Sequence, residues 1–339
     1  MWLRNLLLKY NHITIMLKKL WSLKLLAIIL IISGLSNIIA NDKPLLVVFK
    51  NKIYFPIIED VEESTFIDAE FSLSSATDFK DPVIIEAINK DGWILLPLIK
   101  FNYDTISFAI NGSTPTPPNS INLLGTDDQG RDVLARVIYS VRNSLFFGIA
   151  LSAIILLIGI FLGAIQGYFG GKIDLILQRF TEIWSGLPVM FLLLIISAII
   201  EPSFIYLLLI LSIFGWMHIA SFVRAEFLRL RNFDFIRSAN ALGASHLRII
   251  FRHLLPNALP IIIANLPFLV AGSITTLTAL DFLGFGLPIG SASLGELLNQ
   301  GKNNLNAYWL GITSFVTIAT ILTLLLFIGE DLRKINDKH

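Results

Sequence analysis

Six long apolar stretches dominate the pattern of hydrophobic and polar positions along the chain. Each is close to the roughly 20 apolar residues that an α-helix needs to cross a hydrocarbon core. Only one of them contains an acidic or basic residue, Lys24 at the edge of the first stretch. The pattern therefore predicts an all-α polytopic membrane protein whose six transmembrane helices span residues 23–40, 144–169, 183–200, 204–223, 257–280 and 307–328.

Composition agrees with this prediction and excludes some kinds of chemistry. Of the 339 residues, 55% are hydrophobic and 15% are charged, whereas about a quarter of a soluble domain is charged. The chain has no cysteine, which excludes disulfides and thiolate metal sites. Its five histidines show no metal-ligand spacing, and neither paired aspartates nor a serine–histidine pair indicates intramembrane proteolysis. We therefore expect no metal site and no catalytic residue.

Basic residues determine the predicted orientation. The first 19 residues carry four basic side chains and no acidic one, and the loop 224–253 carries six arginines against two acidic residues. Positive charges collect in short cytoplasmic loops, so both termini are predicted to be cytoplasmic. The alternative for the first span is a cleaved signal peptide. An uncleaved anchor is favoured, because the residue three before such a cut would be Ile38, which is not small.

Residues 41–143 are predicted to form an extracytoplasmic insertion of partly β character. Its segments 45–49 and 93–99 have strand-like sequences, and 103–110 alternates polar and apolar residues as a half-buried strand does. The proline-rich segment 113–120 predicts a stiff connector. An apolar face after the connector then predicts an amphipathic helix at the end of the insertion, which either lies at the membrane surface or has a more specific role. The face comprises Val133, Leu134, Val137, Ile138 and Val141, and Arg131, Asp132 and Arg136 are expected to lie off it.

Several glycines and prolines in the spans predict how the helices pack. Gly159, Gly163 and Gly167 recur every four residues, a spacing that lets another helix approach closely. Pro188 and Pro267 lie inside apolar stretches. Both are predicted to kink their helices, because proline leaves a helical carbonyl without its donor.

The spans hold almost no ionisable residue, which bears on how any transport is powered. His218 is the only candidate, whereas ion-coupled secondary transporters use ionisable side chains inside the membrane. A segment beginning at Gly295 loosely resembles a phosphate-binding loop. It has one residue too many between Gly295 and Gly301, and Asn303 stands where the loop needs a magnesium-binding hydroxyl. The chain is therefore not expected to bind ATP, and the energy for transport would come from elsewhere.

The basic segment RSANALGASHLRIIFRHLLPNALP, residues 237–260, predicts two short helices joined by a glycine turn. Asp234 or Asn232 would cap the first helix, and Gly243 would follow its end at positive φ. Ser245 would cap the second helix and Pro256 would end it. The alternative is a basic loop that rests on anionic lipid headgroups. The predicted apolar faces are Phe235, Ala239 and Leu242 in the first helix and Leu247, Ile250, Phe251, Leu254 and Leu255 in the second, with Arg248 and Arg252 opposite.

This spacing resembles the EAA loop of bacterial ABC importer permeases. Ala239 is followed by three residues, Gly243, and twelve further residues before Pro256. In that family the loop forms a coupling helix that docks into a groove of the ATPase subunit. Arg237 and Ser238 stand where the motif has Glu and its first Ala. The resemblance implies a coupling role for the loop 224–256, with the candidate residues Asp234, Arg237, Ala239, Gly243, Ala244, Arg248 and Pro256.

Other segments resemble the dipeptide and oligopeptide branch of the family, in its DppC/OppC-like subunits. GTDDQGRDVLARVIYSVRNSL is similar to the GTDxxGRDVxxR segment that precedes the second span there. GYFGGKIDLILQRFTEIWSGLP, LDFLGFGLP, LGELLNQGKNNL and RHLLPN extend the resemblance over about residues 120–330. KPLLVVFKNKIYFPII resembles the Yej-type permeases of peptide and microcin C uptake. The motif before the second span comprises Gly125, Thr126, Asp127, Gly130, Arg131, Asp132 and Arg136.

The resemblance implies a type I ABC importer permease with the MetI-like fold, in the bacterial inner membrane. Its parts would be 1–40 (N-terminus and first span), the periplasmic insertion 41–143, the five-helix core 144–330 and the cytoplasmic tail 331–339. The implied partners are a second homologous permease, ABC ATPases that are separate or fused, a periplasmic solute-binding protein and the bilayer. ATP and Mg²⁺ would bind to the ATPases, and nucleic acid is not expected.

The resemblance implies oligopeptides or peptide-like compounds, such as microcin C, as the cargo. Two other classes of function remain open. One is a membrane scaffold or receptor whose insertion binds a ligand and whose basic loop recruits a signalling protein. The other is a secondary transporter, which would depend on His218.

Overall fold

The computed structural model describes residues 21–67, 76–107, 113–197, 199–288 and 290–336. These residues fall into two compact units. The helical unit contains the described residues of Met1–Ala27, Ser144–Pro288 and Ala319–His339. The mixed unit contains those of Ile28–Asn143 and Ile289–Ile318.

The described residues are mostly helical. A 3₁₀ turn covers Glu63–Thr65, and a π-helical turn covers Ile250–Leu254. The strands are β1 Leu46–Phe49, β2 Lys52–Tyr54 and β3 Gly92–Leu95. The α-helices are α1 Trp21–Gly34, α2 Ser36–Ile39, α3 Pro82–Asp91, α4 Val133–Phe169, α5 Gly171–Ser185, α6 Val189–Ser197, α7 Phe204–Leu230, α8 Asp234–Ala241, α9 His246–Ile249, α10 Leu255–Ala264, α11 Leu266–Leu283, α12 Leu294–Asn303 and α13 Tyr308–Asn336.

Five helical stretches in the described residues are long and apolar enough to cross a membrane. The helix pair α5 and α6, bent by 60° at a short break, makes six if it counts as one span. The apolar helix α1 is shorter, at 14 residues. The described part of the chain thus has five or six candidate spans, against six predicted, but the sets differ. The predicted first span 23–40 is not among the candidates, and the predicted span 257–280 falls in two of them. The five are Val133–Phe169, Phe204–Leu230, His246–Ala264, Leu266–Leu283 and Tyr308–Ile335.

Two predicted spans are interrupted at or near their prolines. Pro188 lies in the break between α5 and α6. The predicted span 257–280 is divided at Asn265, which separates α10 from α11. Pro267 occupies the first turn of α11, where its missing N–H needs no helical acceptor. The Asn265 amide donates to the Ile261 carbonyl at 2.9 Å, which satisfies one acceptor at the end of α10.

The core of the helical unit is apolar and draws on helices that are far apart in the sequence. Phe147 of α4, Leu193 of α6, Val223 of α7, Ile262 of α10 and Leu277 of α11 all belong to one buried cluster. None of the five exposes more than 1% of its surface. Helices with this composition are held together in a membrane mainly by close van der Waals packing.

The mixed unit contains a three-stranded antiparallel sheet in the order β2-β1-β3. Val47 in the central strand pairs with Tyr54 on one side and with Ile94 on the other. Ile84 and Ile88, which lie one turn apart on α3, share a buried cluster with Val47. The sheet and α3 thus form a small core of their own.

Two of the three predicted strand segments contain strands. β1 and β3 overlap the segments 45–49 and 93–99. The third segment, 103–110, is not a strand in its described part. Ile106 forms one isolated bridge with Arg131, and residues 108–110 lie outside the described residues. The predicted connector 113–120 has no regular secondary structure.

The amphipathic helix predicted at the end of the insertion is not a separate surface helix. Its residues form the first three turns of the single 37-residue helix α4. The charged side chains expected to face away from the apolar surface, Arg131, Asp132 and Arg136, are each at least 97% buried. The two arginines contact carboxylates and carbonyls of the same unit, and Asp132 accepts from a backbone N–H and a side-chain amide. Periodicity alone does not reveal such partners.

Candidate functional site

The predicted helix–turn–helix segment consists of α8, a tight turn and α9. Gly243 has a φ of +76° in this turn. The Ala244 N–H donates to the Ala239 carbonyl at 3.1 Å, and the Gly243 N–H donates to the Asn240 carbonyl at 3.0 Å. These two bonds form a Schellman motif, which satisfies carbonyls at the end of the helix. Two of the predicted candidates, Ala239 and Gly243, therefore build the turn together.

The start of α8 differs from the prediction. Phe233 is the N-cap and Asp234 the first helical residue, so neither predicted cap is correct. The Asn232 amide donates instead to the Leu228 carbonyl, at 3.0 Å. The Asp234 carboxylate lies in the first turn of α8, where a negative charge is favoured by the helix dipole. Ser245 occupies the N-cap of α9 without a side-chain bond.

Pro256 does not end the second helix, which corrects the prediction. After α9 the chain passes through the π-helical turn and continues directly into α10, whose first turn contains Pro256. Proline cannot donate to the Arg252 carbonyl, and in a regular α-helix its ring would crowd that oxygen. A wider π turn just before the proline relieves this conflict. The stretch His246–Ala264 is therefore continuous and long enough to cross a membrane.

Apolar side chains of this segment divide between the core and the surface. Ile236, Ile249 and Leu254 are buried in the core of the helical unit. A second group is exposed, and Leu242 next to the glycine turn exposes 89% of its surface. The stripe predicted for the first helix thus points outward, and its buried anchor is Ile236. We call the exposed group the docking face, defined as Phe235, Leu242, Leu247 and Phe251.

Three cations accompany the docking face. Arg237, Arg248 and Arg252 are exposed, and none of them forms an ion pair with another described residue. Large exposed apolar side chains rimmed by polar ones mark surfaces that bind another protein or a membrane. The free positive charges favour a partner surface with acidic groups at its rim.

Polar contacts fix this segment to the helices around it. The Tyr168 hydroxyl at the end of α4 lies 2.7 Å from Nδ1 of His246 in α9. Arg224 of α7 forms a two-pronged ion pair with Asp174 of α5, in which Nη2 and Oδ2 are 2.7 Å apart. Arg231, just after α7, donates to the Tyr168 carbonyl at 3.5 Å. Movement of the segment would therefore be transmitted to α4, α5 and α7.

The three spaced glycines lie where α4 contacts α7. A Cβ on Gly159 would lie 2.6 Å from Cγ2 of Ile219, and a Cβ on Gly163 would lie 2.5 Å from the Ala220 carbonyl oxygen. A Cβ on Gly167 would clash with Phe227. Side-chain carbons do not approach other atoms this closely, so the separation of the two helices requires glycine at these positions.

The motif before the second predicted span forms a compact loop in the mixed unit. Gly125 and Gly130 have φ values of +75° and +81°. The Thr126 hydroxyl lies 2.9 Å from the Thr116 hydroxyl. Asp127 accepts from the Arg131 N–H at 2.9 Å and from its Nε at 2.7 Å. The motif residues therefore hold one another in place.

Asp132 caps the start of α4. Its Oδ1 accepts from the Ala135 N–H at 2.8 Å, and its Oδ2 accepts from the Asn122 amide at 2.8 Å. Burial raises the pKa of the Asp132 carboxyl, and these two hydrogen bonds partly oppose the rise. A capping aspartate typically contributes about 1 kcal/mol to helix stability.

Four charged side chains of the mixed unit form a buried cluster. We call Asp127, Arg131, Arg136 and Glu296 the ion cluster. Glu296 Oε2 lies 2.8 Å from Nη2 of Arg136, and its Oε1 lies 3.1 Å from Nη2 of Arg131. Arg136, which is fully buried, also donates to the carbonyls of Tyr103 and Ser291 at 3.0 and 2.9 Å.

Glu296 is the member of the ion cluster that sequence reasoning missed. It lies in the first turn of α12, 160 residues after Arg136. The segment LGELLNQGKNNL around it carries part of the family resemblance, which was the available signal. Nothing in the sequence indicates which cations this carboxylate pairs with.

The helical unit also contains a cavity of about 520 Å³. Residues of α4, α6, α7, α11 and α13 line it, together with Asn265 at the break before α11. Most of its wall is apolar. Its polar lining side chains are His218, Asn265, Ser273, Thr276 and Arg333. Within the described residues, no group of three or more histidine, aspartate and glutamate side chains is arranged to hold a metal ion.

Comparison with known families and structures agrees with this architecture. Of this chain, 59% superposes on 96% of a chain of the MetNI methionine ABC transporter in an inward-facing conformation, with a TM-score of 0.51 and 18% identity. That likeness shows the fold, which is that of an ABC permease. Residues 155–334 match the family described as binding-protein-dependent transport system inner membrane component. The chain belongs to this family.

Relatives within the family are similar over most of their length. The inner membrane ABC transporter permease protein YejE of Escherichia coli (strain K12) is 50% identical, over 94% of this chain and 93% of that protein. The peptidoglycan transport system permease protein YejE of Agrobacterium fabrum is 47% identical, over 92% and 87%. The oligopeptide transport system permease protein OppC of Lactococcus lactis subsp. lactis is 37% identical, over 66% and 77%.

Proposed function

We propose that this chain is the permease subunit of an ATP-driven importer of peptides, and that it encloses the translocation path with a second, homologous permease. The observation that carries the proposal is the docking face, which a Schellman turn and buried anchors hold at the surface of the helical unit. The names of the relatives support the substrate class. One is a peptidoglycan transport permease and another an oligopeptide transport permease.

The docking face would receive the ATPase subunit on the cytoplasmic side. Its apolar side chains would fill an apolar groove, and Arg237, Arg248 and Arg252 would face acidic groups at the rim. Gly243 suits the centre of such a contact, because an added Cβ there would have no atom within 4 Å and the turn leaves space for a partner backbone. Closure of the ATPase dimer on ATP would then pull α8 and α9, and the contacts of Tyr168 and Arg231 would transmit the pull.

The remaining parts of the proposal follow from this assignment. Both termini would lie in the cytoplasm and the insertion 41–143 in the periplasm, where a solute-binding protein would deliver the cargo. The ATPases would be two chains or one fused chain, and they would hold ATP and Mg²⁺. The cargo would be oligopeptides or peptide-like compounds such as microcin C.

Co-purification tests the subunit assignment. A tagged chain is extracted from its native membrane in a gentle detergent, and mass spectrometry identifies the proteins that remain bound. We expect a second permease and an ATPase in stoichiometric amounts. A membrane scaffold would come out without either, and that result would contradict the proposal.

A charge in the glycine turn tests the docking face. Gly243→Asp is expected to abolish peptide uptake while the protein stays in the membrane, because it places a negative charge and extra bulk against the ATPase. Gly243→Asn is the matched control. Asparagine has nearly the same shape and tolerates positive φ, so this variant should retain a large part of the uptake. Normal uptake by Gly243→Asp would show that the turn does not contact the ATPase.

A further inference from the structure

The cavity of the helical unit has a distinctive electrostatic lining. It is about 520 Å³ in volume, within the range of about 300–1,000 Å³ that is typical of ligand sites. No acidic residue is among the described residues that line it, whereas Arg333 and His218 are. The amide of Asn265 and the hydroxyl of Thr276 add neutral donors. The cavity therefore favours an anionic group over a cationic one.

Arg333 is held in a defined orientation at this cavity. Its Nη2 donates to Oδ1 of Asn265 at 2.8 Å, and its guanidinium carbon lies 4.3 Å from the centre of the Phe268 ring. Gly329, one turn earlier on α13, leaves room for that ring, because a Cβ there would clash with it. A cation stacked on an aromatic ring and bonded to a neutral amide keeps its charge and most of its donors available.

Arg333 lacks the carboxylate partner that two other arginines of the helical unit have. Arg224 and Arg229 are paired with Asp174 and Glu226. In the described part of the chain, Arg333 has no carboxylate within ion-pair distance. An arginine that lines an apolar cavity without a carboxylate partner is suited to bind one from a ligand, because the guanidinium fork matches a carboxylate in two parallel hydrogen bonds.

We propose that Arg333 binds a carboxylate of the transported peptide within the cavity, with Asn265 and Phe268 orienting the guanidinium. This inference rests on the proposed peptide import. The carboxylate belongs either to the peptide C-terminus or to an acidic side chain, since both present the same group. Arg333 is exposed, so a ligand in the cavity can reach its guanidinium.

Uptake of matched peptides tests the proposal. Cells carrying the complete transporter take up three labelled probes: alanine pentapeptide with a free C-terminus, the same peptide as its C-terminal amide, and an amide whose central residue is glutamate. For Arg333→Gln, we expect the rate ratio of the free acid to the plain amide to fall about tenfold or more relative to wild type, as loss of a charged hydrogen bond implies. The rate for the plain amide itself should change little.

Comparing the acid-to-amide rate ratio of each variant with that of wild type separates a loss of carboxylate binding from general damage to the transporter. The preference of the binding protein is common to all variants, so it cancels in this double comparison. Arg333→Lys should keep most of the preference. Lys334→Gln should keep all of it, because this neighbouring cation is absent from the cavity lining and lies 4.0 Å from Glu330. If the uptake rate of the glutamate-containing amide falls by the same factor as that of the free acid, Arg333 binds side-chain carboxylates as well.

Two results would overturn the proposal. An equal fall for acid and amide peptides would mean that Arg333 acts only through Asn265 and Phe268, and an unchanged ratio would mean that it binds no substrate. Both of these would leave peptide import itself intact. If wild type imports none of the three probes, the proposed function fails and the inference fails with it.

Discussion

Replacing Glu296 by glutamine should destabilise the mixed unit strongly. Glu296 is the carboxylate that contacts both Arg131 and Arg136. Asp127 is the other acidic member of the ion cluster, and its Oδ2 lies 3.4 Å from Nε of Arg136. With two cations and two carboxylates the cluster is neutral. Glu296→Gln has almost the same shape but leaves the cluster with one uncompensated positive charge.

The expected loss of unfolding free energy is about 3 kcal/mol. Removing one partner of a buried ion pair costs about 3–5 kcal/mol. The side chains of Arg136 and Arg131 are 0% and 4% exposed, whereas that of Glu296 is 25% exposed, so solvent screening places the loss near the lower end. At about 2–4 °C per kcal/mol for a unit of this size, the melting temperature should fall by about 6–12 °C.

Tryptophan fluorescence of the purified protein in detergent measures this loss. Trp309 belongs to the mixed unit, and its indole N–H donates to the Thr126 carbonyl at 3.2 Å. The matched control is Glu86→Gln on α3. It removes a carboxylate from an exposed pair with Lys90, 3.7 Å apart, and should cost less than about 1 kcal/mol.

A double variant decides whether the loss comes from an uncompensated charge. Arg136→Met combined with Glu296→Leu replaces the pair by apolar side chains, which is often nearly neutral for buried ion pairs. The double variant should therefore be at least as stable as Arg136→Met alone. The reasoning is refuted if Glu296→Gln melts at the wild-type temperature, or if the two replacements add as independent losses.

Two further predictions concern helix packing and pH. Gly163→Ala should lower stability by about 1–3 kcal/mol through overpacking, because its Cβ would lie 2.5 Å from the Ala220 carbonyl oxygen. The control is Gly311→Ala on α13. Its Cβ would meet no atom within 4 Å, so this variant should be neutral or mildly stabilising. Thermal melting of the two variants compares them, and equal stability would refute close contact at Gly163. Burial raises the pKa of the Asp132 carboxyl, so the folded state binds the carboxyl proton more tightly than the unfolded state does. The folded state therefore loses stability as pH rises from the ordinary pKa of about 3.8 through the raised pKa. Asp132→Asn should flatten this decline relative to wild type when melting temperature is followed from pH 4 to pH 7, and parallel curves would contradict the assignment.

Local rules made the helix–turn–helix segment partly predictable. A left-handed turn after a short helix favours glycine, so Gly243 could be recognised with no knowledge of the fold. Pro256 could not be interpreted in this way, because a π-helical turn absorbs it. Ile249, just before that turn, and Leu254, at its end, are buried in the core of the helical unit, and a short-range pattern does not reveal such packing.

The ion cluster was not predictable for a different reason. Arg131 and Arg136 follow the pattern of a solvated helix face, and that pattern usually means exposure. Burial of such cations requires a carboxylate from elsewhere, and Glu296 comes from another segment, 160 residues after Arg136. A short-range pattern carries no information on a partner at this separation.

The apolar pattern of α8 and α9 was visible in the sequence, but its division between core and surface was not. Leu242 and Leu254 are both leucines, yet one is almost fully exposed and the other fully buried. Apolar periodicity reports that a face must be covered, and it does not tell whether this chain or another one covers it. The exposed half of the pattern is where the proposed ATPase partner would bind.

The ion cluster also pairs residues that lie outside the family match with one that lies inside it. The match begins at residue 155, so it includes Glu296 but neither Arg136 nor the sheet of β1, β2 and β3. Two buried arginines outside the match are thus neutralised in part by a carboxylate inside it. Unpaired buried charges are costly, so the Arg131–Arg136 segment cannot fold stably before α12 brings Glu296 to it. It follows that this segment and α12 should unfold together, as one cooperative element, even though Arg136 and Glu296 are 160 residues apart in sequence.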